Sequence, residues 1–251
     1  MKWVATESRA NATLRADLAP FARLARGTHH LVAAGVNTGS KGRTGIPSRA
    51  ARVQARLLLR LSHDLRVVEL AAFKSYSLQA LSLSANIFEL SNTVAYIGTS
   101  DDRALAWEQH QETRWSYPGF RQRREAIRAT LLAVYPGMPN LERAIEEQER
   151  LYTTLCMAKH GNPIVLKNYG ATEAGDTVRL FHGPFVARYI VRQCRFALFH
   201  AARMTAAATM VFAVPMLTGA PVRIRTRYRR LERSIVRQIS NLTTMALEPR
   251  T

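Results

Sequence analysis

Tyr76-Ser77-Leu78-Gln79-Ala80-Leu81-Ser82-Leu83-Ser84-Ala85-Asn86-Ile87-Phe88-Glu89-Leu90-Ser91-Asn92-Thr93-Val94-Ala95-Tyr96-Ile97 contains one charged side chain, Glu89. A helix of this composition is apolar on most of its faces, and such a helix belongs in the middle of a bundle. The expectation is a central helix around which the rest of the chain packs. Its Gln79, Asn86, Glu89 and Asn92 are then polar groups in or near the core. Buried polar groups need partners, so these four are either hydrogen-bond hubs or parts of a site.

Upstream of that run, Ser48 is placed to cap a helix. Val53, Leu57, Leu61, Leu65 and Val68 follow at spacings of three to four, the period of a helix with one buried face. A break is expected near Phe73–Ser77. Before Ser48, residues 7–35 read as helical, with Pro20 starting a new turn. The glycine-rich, basic stretch 35–47 reads as a flexible loop. It includes Gly39-Ser40-Lys41-Gly42, but the spacing of a phosphate-binding loop is absent.

Downstream, Gly98 ends the central helix, and Ser100 with Asp101 and Asp102 opens the next. That helix carries Trp107, His110 and Trp115 until Pro118-Gly119 breaks it. A basic amphipathic helix follows, with Phe120, Ile127, Leu131 and Val134 on one side and Arg121, Arg123, Arg124 and Arg128 elsewhere. After Pro136-Gly137-Met138-Pro139, Asn140 caps a helix whose first turns carry Glu142, Glu146, Glu147 and Glu149, as the helix dipole favours. Gly161 stops it. Residues 161–184 read as an irregular loop or small hairpin. Pro184 opens a helix to about Phe212, Pro215 and Gly219-Ala220-Pro221 interrupt, and a last helix runs from about Thr226 to Leu247. The sum is an all-α bundle of about seven or eight helices. Its expected organisation is a basic N-terminal segment (1–47), the bundle (48–221) and a basic C-terminal helix packed on it (222–251).

Composition bounds the function. Of 251 residues, 47% are hydrophobic, which excludes a disordered, collagen-like or low-complexity chain. Two cysteines exclude a disulfide scaffold and a cysteine-rich zinc site. The formal net charge is +18, carried almost wholly by arginine and concentrated at the ends. Residues 1–70 hold 12 basic and 4 acidic side chains, and residues 221–251 hold 8 and 2. Arginine's planar fork suits phosphate and carboxylate, so the ends are candidates for nucleic acid, anionic lipid or an acidic protein surface. The plainer alternative is a set of solvated arginines with no partner.

The first residues become charged and polar before any apolar signal core forms, and Cys156 and Cys194 read as reduced thiols; a cytoplasmic location is expected. Met204 to Val222 has no charged residue and is long enough to cross a bilayer. Its prolines, threonines and arginine-rich approach make it a buried core helix in this reading, and membrane association is not expected.

Two constellations could carry chemistry. Tyr152-x-x-Leu155-Cys156-x-x-Lys159-His160-Gly161-Asn162-Pro163 ends a helix, where carbonyls and the negative dipole end favour protonated histidine. His160, with Lys159 and Asn162, could bind an anion or move a proton; otherwise His160 and Asn162 only cap the helix. A cleft is expected if Glu89, Asn92, Trp107, His110, Tyr152, Lys159 and Asn162 converge.

These runs also carry a resemblance. Ser77-Leu78-Gln79-Ala80 through Asn92, the helix start Asp101-Asp102-Arg103-Ala104 to Trp107, and the Tyr152 to Pro163 element are similar to an uncharacterised bacterial all-helical domain family of unknown function, itself HEPN-like. The likeness covers about residues 55–215. It implies a helical bundle and, through the ribonucleases of toxin, defence and stress systems among HEPN proteins, metal-independent RNA cleavage. Their signature is arginine followed by histidine after four to six residues on a late helix. The histidine acts as acid or base and the arginine steadies phosphate. Arg195 and His200 have that spacing, but so do four other Arg–His pairs in this arginine-rich chain, so the spacing discriminates poorly. The places before His160 where the signature has arginine hold Thr153, Thr154 and Leu155.

No cofactor motif is present, no metal-binding spacing of histidines or cysteines is present, and none is expected. The strongest electrostatic feature is Arg223, Arg225, Arg227, Arg229, Arg230, Arg233 and Arg237, opposed only by Glu232. Ile224, Tyr228, Leu231, Ile235 and Ile239 form a stripe beside them. Docked by that stripe, the helix would offer arginines to phosphate, with Tyr228 available to stack on a base. The expected function is nucleic-acid association, RNA foremost, through the arginine-rich ends. A HEPN-like ribonuclease and a non-catalytic interaction subunit, dimeric or bound to an acidic protein, are the alternatives.

Overall fold

The computed structural model describes residues 2–41, 47–109, 120–161, 171–174, 177–180 and 186–247. Among these lie eight helices: α1 (Lys2–Lys41), α2 (Arg49–Phe73), α3 (Ser77–Ile97), α4 (Asp101–Gln109), α5 (Phe120–Val134), α6 (Leu141–Lys159), α7 (Arg188–Leu217) and α8 (Val222–Leu247). The chain is an all-α multi-helix bundle. Between α6 and α7, Ala171–Ala174 and Thr177–Leu180 (β1 and β2) pair antiparallel, with Ala171 opposite Leu180 and Ala174 opposite Thr177.

Local signals place most boundaries. The Ser48 hydroxyl accepts the Ala51 N–H at 3.2 Å, and the Asp101 carboxylate of α4 accepts the Ala50 N–H at 2.7 Å. Two oxygens thus satisfy the open start of α2. Gly98, Gly137 and Gly161 have φ of 52°, 78° and 64°, the left-handed region that glycine enters without steric cost. Asn140 also has a left-handed φ of 57° and its side chain makes no capping bond to α6, contrary to expectation; it serves the turn through its backbone conformation.

α3 lies at the centre, packed on α2, α4, α5, α6 and α7. The centre is shared with α7, which meets α1, α2, α3, α5 and α8. Ser77, Ser84 and Ser91, seven residues apart and all buried, form one stripe on α3. The Ser77 hydroxyl donates to Gln193 Oε1 at 2.7 Å and the Ser84 hydroxyl to the Ala197 carbonyl at 3.1 Å, so α3 and α7 run in the same direction. Serine and alanine let the two backbones approach closely. Of the polar residues expected in or near this core, Asn92 is buried, Asn86 and Glu89 are half-buried, and Gln79 is at the surface.

Three corrections concern helix ends and share a cause. α1 passes through Pro20 without a break. Losing one backbone bond and crowding a turn costs about 3 kcal/mol, but Leu18, Phe21 and Leu24 around it are fully buried. α1 also continues to Lys41, where a loop from Gly35 was expected, and Gly35 packs against Thr209 and Tyr228. α7 likewise continues past Phe212 and through Pro215 to Leu217. In each case burial against neighbouring helices outweighs local propensity. α7 is the one helix among the described residues long and apolar enough to cross a membrane, and most of its apolar window is covered by the bundle.

Candidate nucleic-acid interface

α8 buries Tyr228, Ile235, Ile239, Leu242 and Ala246, spaced to form one face of a helix. The same spacing turns Arg223, Arg225, Arg227, Arg229, Arg230, Arg233 and Arg237 outward, and all seven are exposed. Tyr228 is corrected: it is 1% exposed and donates to the Thr209 carbonyl of α7 at 3.4 Å. Burial raises its pKa far above the usual tyrosine value. It anchors α8 and cannot stack on a base, because position 228 falls on the stripe that the helix period delivers to the core.

The apolar face of α8 lies on α1 and α7. α1 and α8 run antiparallel: Gly27 is against Ile235 and Gly35 against Tyr228. A groove follows their seam. Toward one end Arg23 and Arg26 face Gln238 and Asn241; toward the other Arg227 and Arg230 line it, and His30 borders both parts. From Pro20 to Thr38 the seam is about 27 Å long at helical rise. The two basic ends, far apart in the chain, therefore form one surface. Arg23, Arg26 and His30 were not singled out from the sequence, since nothing local marks them as facing α8.

Acidic groups do little to neutralise this surface. Arg229 pairs with Glu232 at 2.7 Å. Asp17 of α1 is taken by Arg195, and Glu7 by Lys74 at 2.6 Å and the Tyr76 hydroxyl at 2.7 Å. The arginines of α5 differ: Arg124 meets Glu149 at 2.7 Å and Glu142 at 3.3 Å, and Arg128 meets Glu142. The charge of α5 is spent on α6, whereas that of the seam faces solvent.

The expected cleft forms only in part. Glu89, Tyr152 and Lys159 converge: Lys159 Nζ lies 3.0 and 3.1 Å from the two Glu89 oxygens, and the Tyr152 hydroxyl donates to Glu89 Oε1 at 2.7 Å. Tyr152 stacks on Phe88 with centroids 4.9 Å apart, and Arg123 lies 5.1 Å from its ring centroid. Burial, then bonding to Cys156 and Glu89, raises the Tyr152 pKa. These groups tie α3 to α6 and saturate one another. Asn92 instead faces a different cavity, with Ser91, Gln148 and Arg203. Trp107 is half-buried against the core from α4. His110 and Asn162 lie outside the described residues. His160 is exposed at the end of α6, its N–H bonded to the Cys156 carbonyl at 2.9 Å.

Arg195 and His200 do not act on one point. Arg195 crosses to Asp17 on α1. His200 is 6% exposed, with its ring edge-on to Phe196 and Phe199 at 4.3 and 5.0 Å. Burial, and then the Arg203 charge beside it, holds its pKa well below the ordinary histidine range. An imidazole enclosed in this way has no path to a substrate phosphate. Five residues on a helix also turn the two side chains well apart. Cys194 is buried too, and its thiol is pushed up to about 12, far from a reactive thiolate. Among the described residues no three His, Cys, Asp or Glu side chains gather to hold a metal ion.

No protein-family model, no curated protein and no solved structure matches this chain.

Proposed function

We propose that this protein binds nucleic acid, RNA foremost, by its sugar–phosphate backbone along the α1–α8 seam. The observation that carries the reading is the packing of the two arginine-rich termini into one groove lined by Arg23, Arg26, His30, Arg227 and Arg230. A line of guanidinium groups with few acidic neighbours releases condensed counterions when phosphates occupy it, and this release is the main source of sequence-independent affinity. With Tyr228 in the core, the described groove residues offer arginine and histidine but no exposed aromatic ring on which bases could stack. Binding is therefore expected to follow charge and backbone rather than sequence.

The test is fluorescence anisotropy of a labelled 20-nucleotide single-stranded RNA against salt. The logarithm of the binding constant should fall linearly with the logarithm of salt, with a slope of about −3 if four side chains engage phosphates. Arg227→Ala with Arg230→Ala should weaken binding at every sequence and flatten that slope. A flat salt dependence, or equal binding by the variant, would defeat the reading. Parallel titrations with duplex DNA and with anionic vesicles identify any competing polyanion.

A further inference from the structure

α3, α5, α6 and α7 line a partly open cavity of about 20 Å³ on the far side of α7 from the seam. Its walls are mostly apolar, and its polar groups are Ser91, Asn92, Thr130, Tyr135, Gln148 and Arg203. A void of this size has room for about one water-sized particle.

The charge in it is unbalanced. Arg203 follows His200 by one turn of α7. Its Nη2 donates to Gln148 Oε1 and lies 3.4 Å from His200 Nδ1. Both partners are uncharged, and among the described residues no carboxylate pairs with Arg203. Its Nε is sealed from solvent and has no hydrogen-bond partner. Ser91 is 2% exposed, and its hydroxyl is sealed and without a partner as well. The other two buried serines of α3 do have partners: Ser77 bonds Gln193 and Ser84 bonds Ala80 and Ala197. A half-buried guanidinium whose Nε is closed off without a partner and a buried hydroxyl without an acceptor are both costly, and both residues line the same cavity. The Thr130 hydroxyl already donates to the Ile127 carbonyl at 2.9 Å.

We infer that this cavity is a binding site for one small anion of chloride size, held by Arg203 and Ser91 with Asn92 beside them. An anion there balances the Arg203 charge and gives the Ser91 O–H an acceptor. A water molecule supplies an acceptor but no charge. The site is separate from the nucleic-acid seam and does not depend on it.

Chloride is the probe, with gluconate, too large for the void, replacing it at constant ionic strength. For the wild-type protein, each tenfold rise in chloride above its dissociation constant should raise Tm by about 3–5 °C. Ser91→Ala should fold and show a smaller rise, and Arg203→Gln should show none. Arg227→Ala with Arg230→Ala should keep the full effect, which separates this site from binding to the seam. As a readout independent of stability, a crystal grown in bromide should show an anomalous peak between Arg203 and Ser91. A Tm independent of chloride, an effect retained in Ser91→Ala and Arg203→Gln alike, or a bromide-grown crystal with no peak there would each overturn the inference.

Discussion

Arg203 Nη2 lies 3.4 Å from His200 Nδ1 inside the bundle, so a guanidinium hydrogen points at the nitrogen that histidine would protonate. The ring must stay neutral to accept it, and a second charge there would meet both burial and a cation. His200 is thus lowered by burial first and by Arg203 second; His29, against Ser62 at 2.8 Å, is lowered mainly by burial. In the unfolded chain both titrate near the ordinary value of about 6.5. Above that pH neither state binds the extra protons and stability is unaffected. Below it the unfolded chain takes up protons that the folded chain refuses, so stability falls as pH drops toward the folded values. Urea midpoints between pH 7.5 and 4.5 should show this decline. His200→Gln should make it shallower, and an unchanged decline in that variant would assign it to other groups.

The seam reading makes the N-terminal helix a partner in binding. Arg23→Glu with Arg26→Glu should weaken RNA at least as much as Arg227→Ala with Arg230→Ala, since reversal adds repulsion to the lost contact. If α8 bound alone, changes on α1 would leave affinity nearly untouched. Anisotropy titrations of the two variants at one salt concentration decide between these outcomes.

Tyr228 separates anchor from platform. Tyr228→Ala should destabilise the fold by about 3–5 kcal/mol, as truncation of a buried aromatic does. Tyr228→Phe removes only a long hydrogen bond and should cost about 1 kcal/mol or less. RNA affinity measured below the unfolding transition should be the same for Tyr228→Phe and wild type.

Gly35 tests the closeness of α1, α7 and α8. A Cβ at this position would stand 2.9 Å from Thr209 Cγ2 and 3.7 Å from the Tyr228 ring, and a β-branched side chain in a helix has little freedom to yield. Gly35→Leu should therefore lose about 1–3 kcal/mol by overpacking, despite leucine's better helix propensity. Chemical denaturation reads this directly; a more stable variant would mean that the three helices part easily there.

How much was legible in the sequence differs by element. Val53, Leu57, Leu61, Leu65 and Val68 announce the buried face of α2 because one helix period generates both the pattern and the packing. Ser48, Gly98 and Gly161 mark helix ends by chemistry confined to a single turn. Pro20, Gly35 and Pro215 misled because each is a local breaker inside a segment that other helices cover. At the candidate sites the same division holds. The outward arginines of α8 follow from spacing, and so does the burial of Tyr228 once the stripe is known to be the docked face. Arg203 carried no sequence signal beyond bordering an uncharged run.

The sequence by itself determined that this chain is a helical bundle built around Tyr76–Ile97, with surplus arginine at both ends, because periodicity, capping and composition are properties of neighbouring residues. Only the tertiary structure decided that the two ends share one groove and that His200 is enclosed. It also decided that Arg203 and Ser91 line one cavity. Those relationships join residues on different helices, where packing in three dimensions, rather than order along the chain, sets the distance between charges.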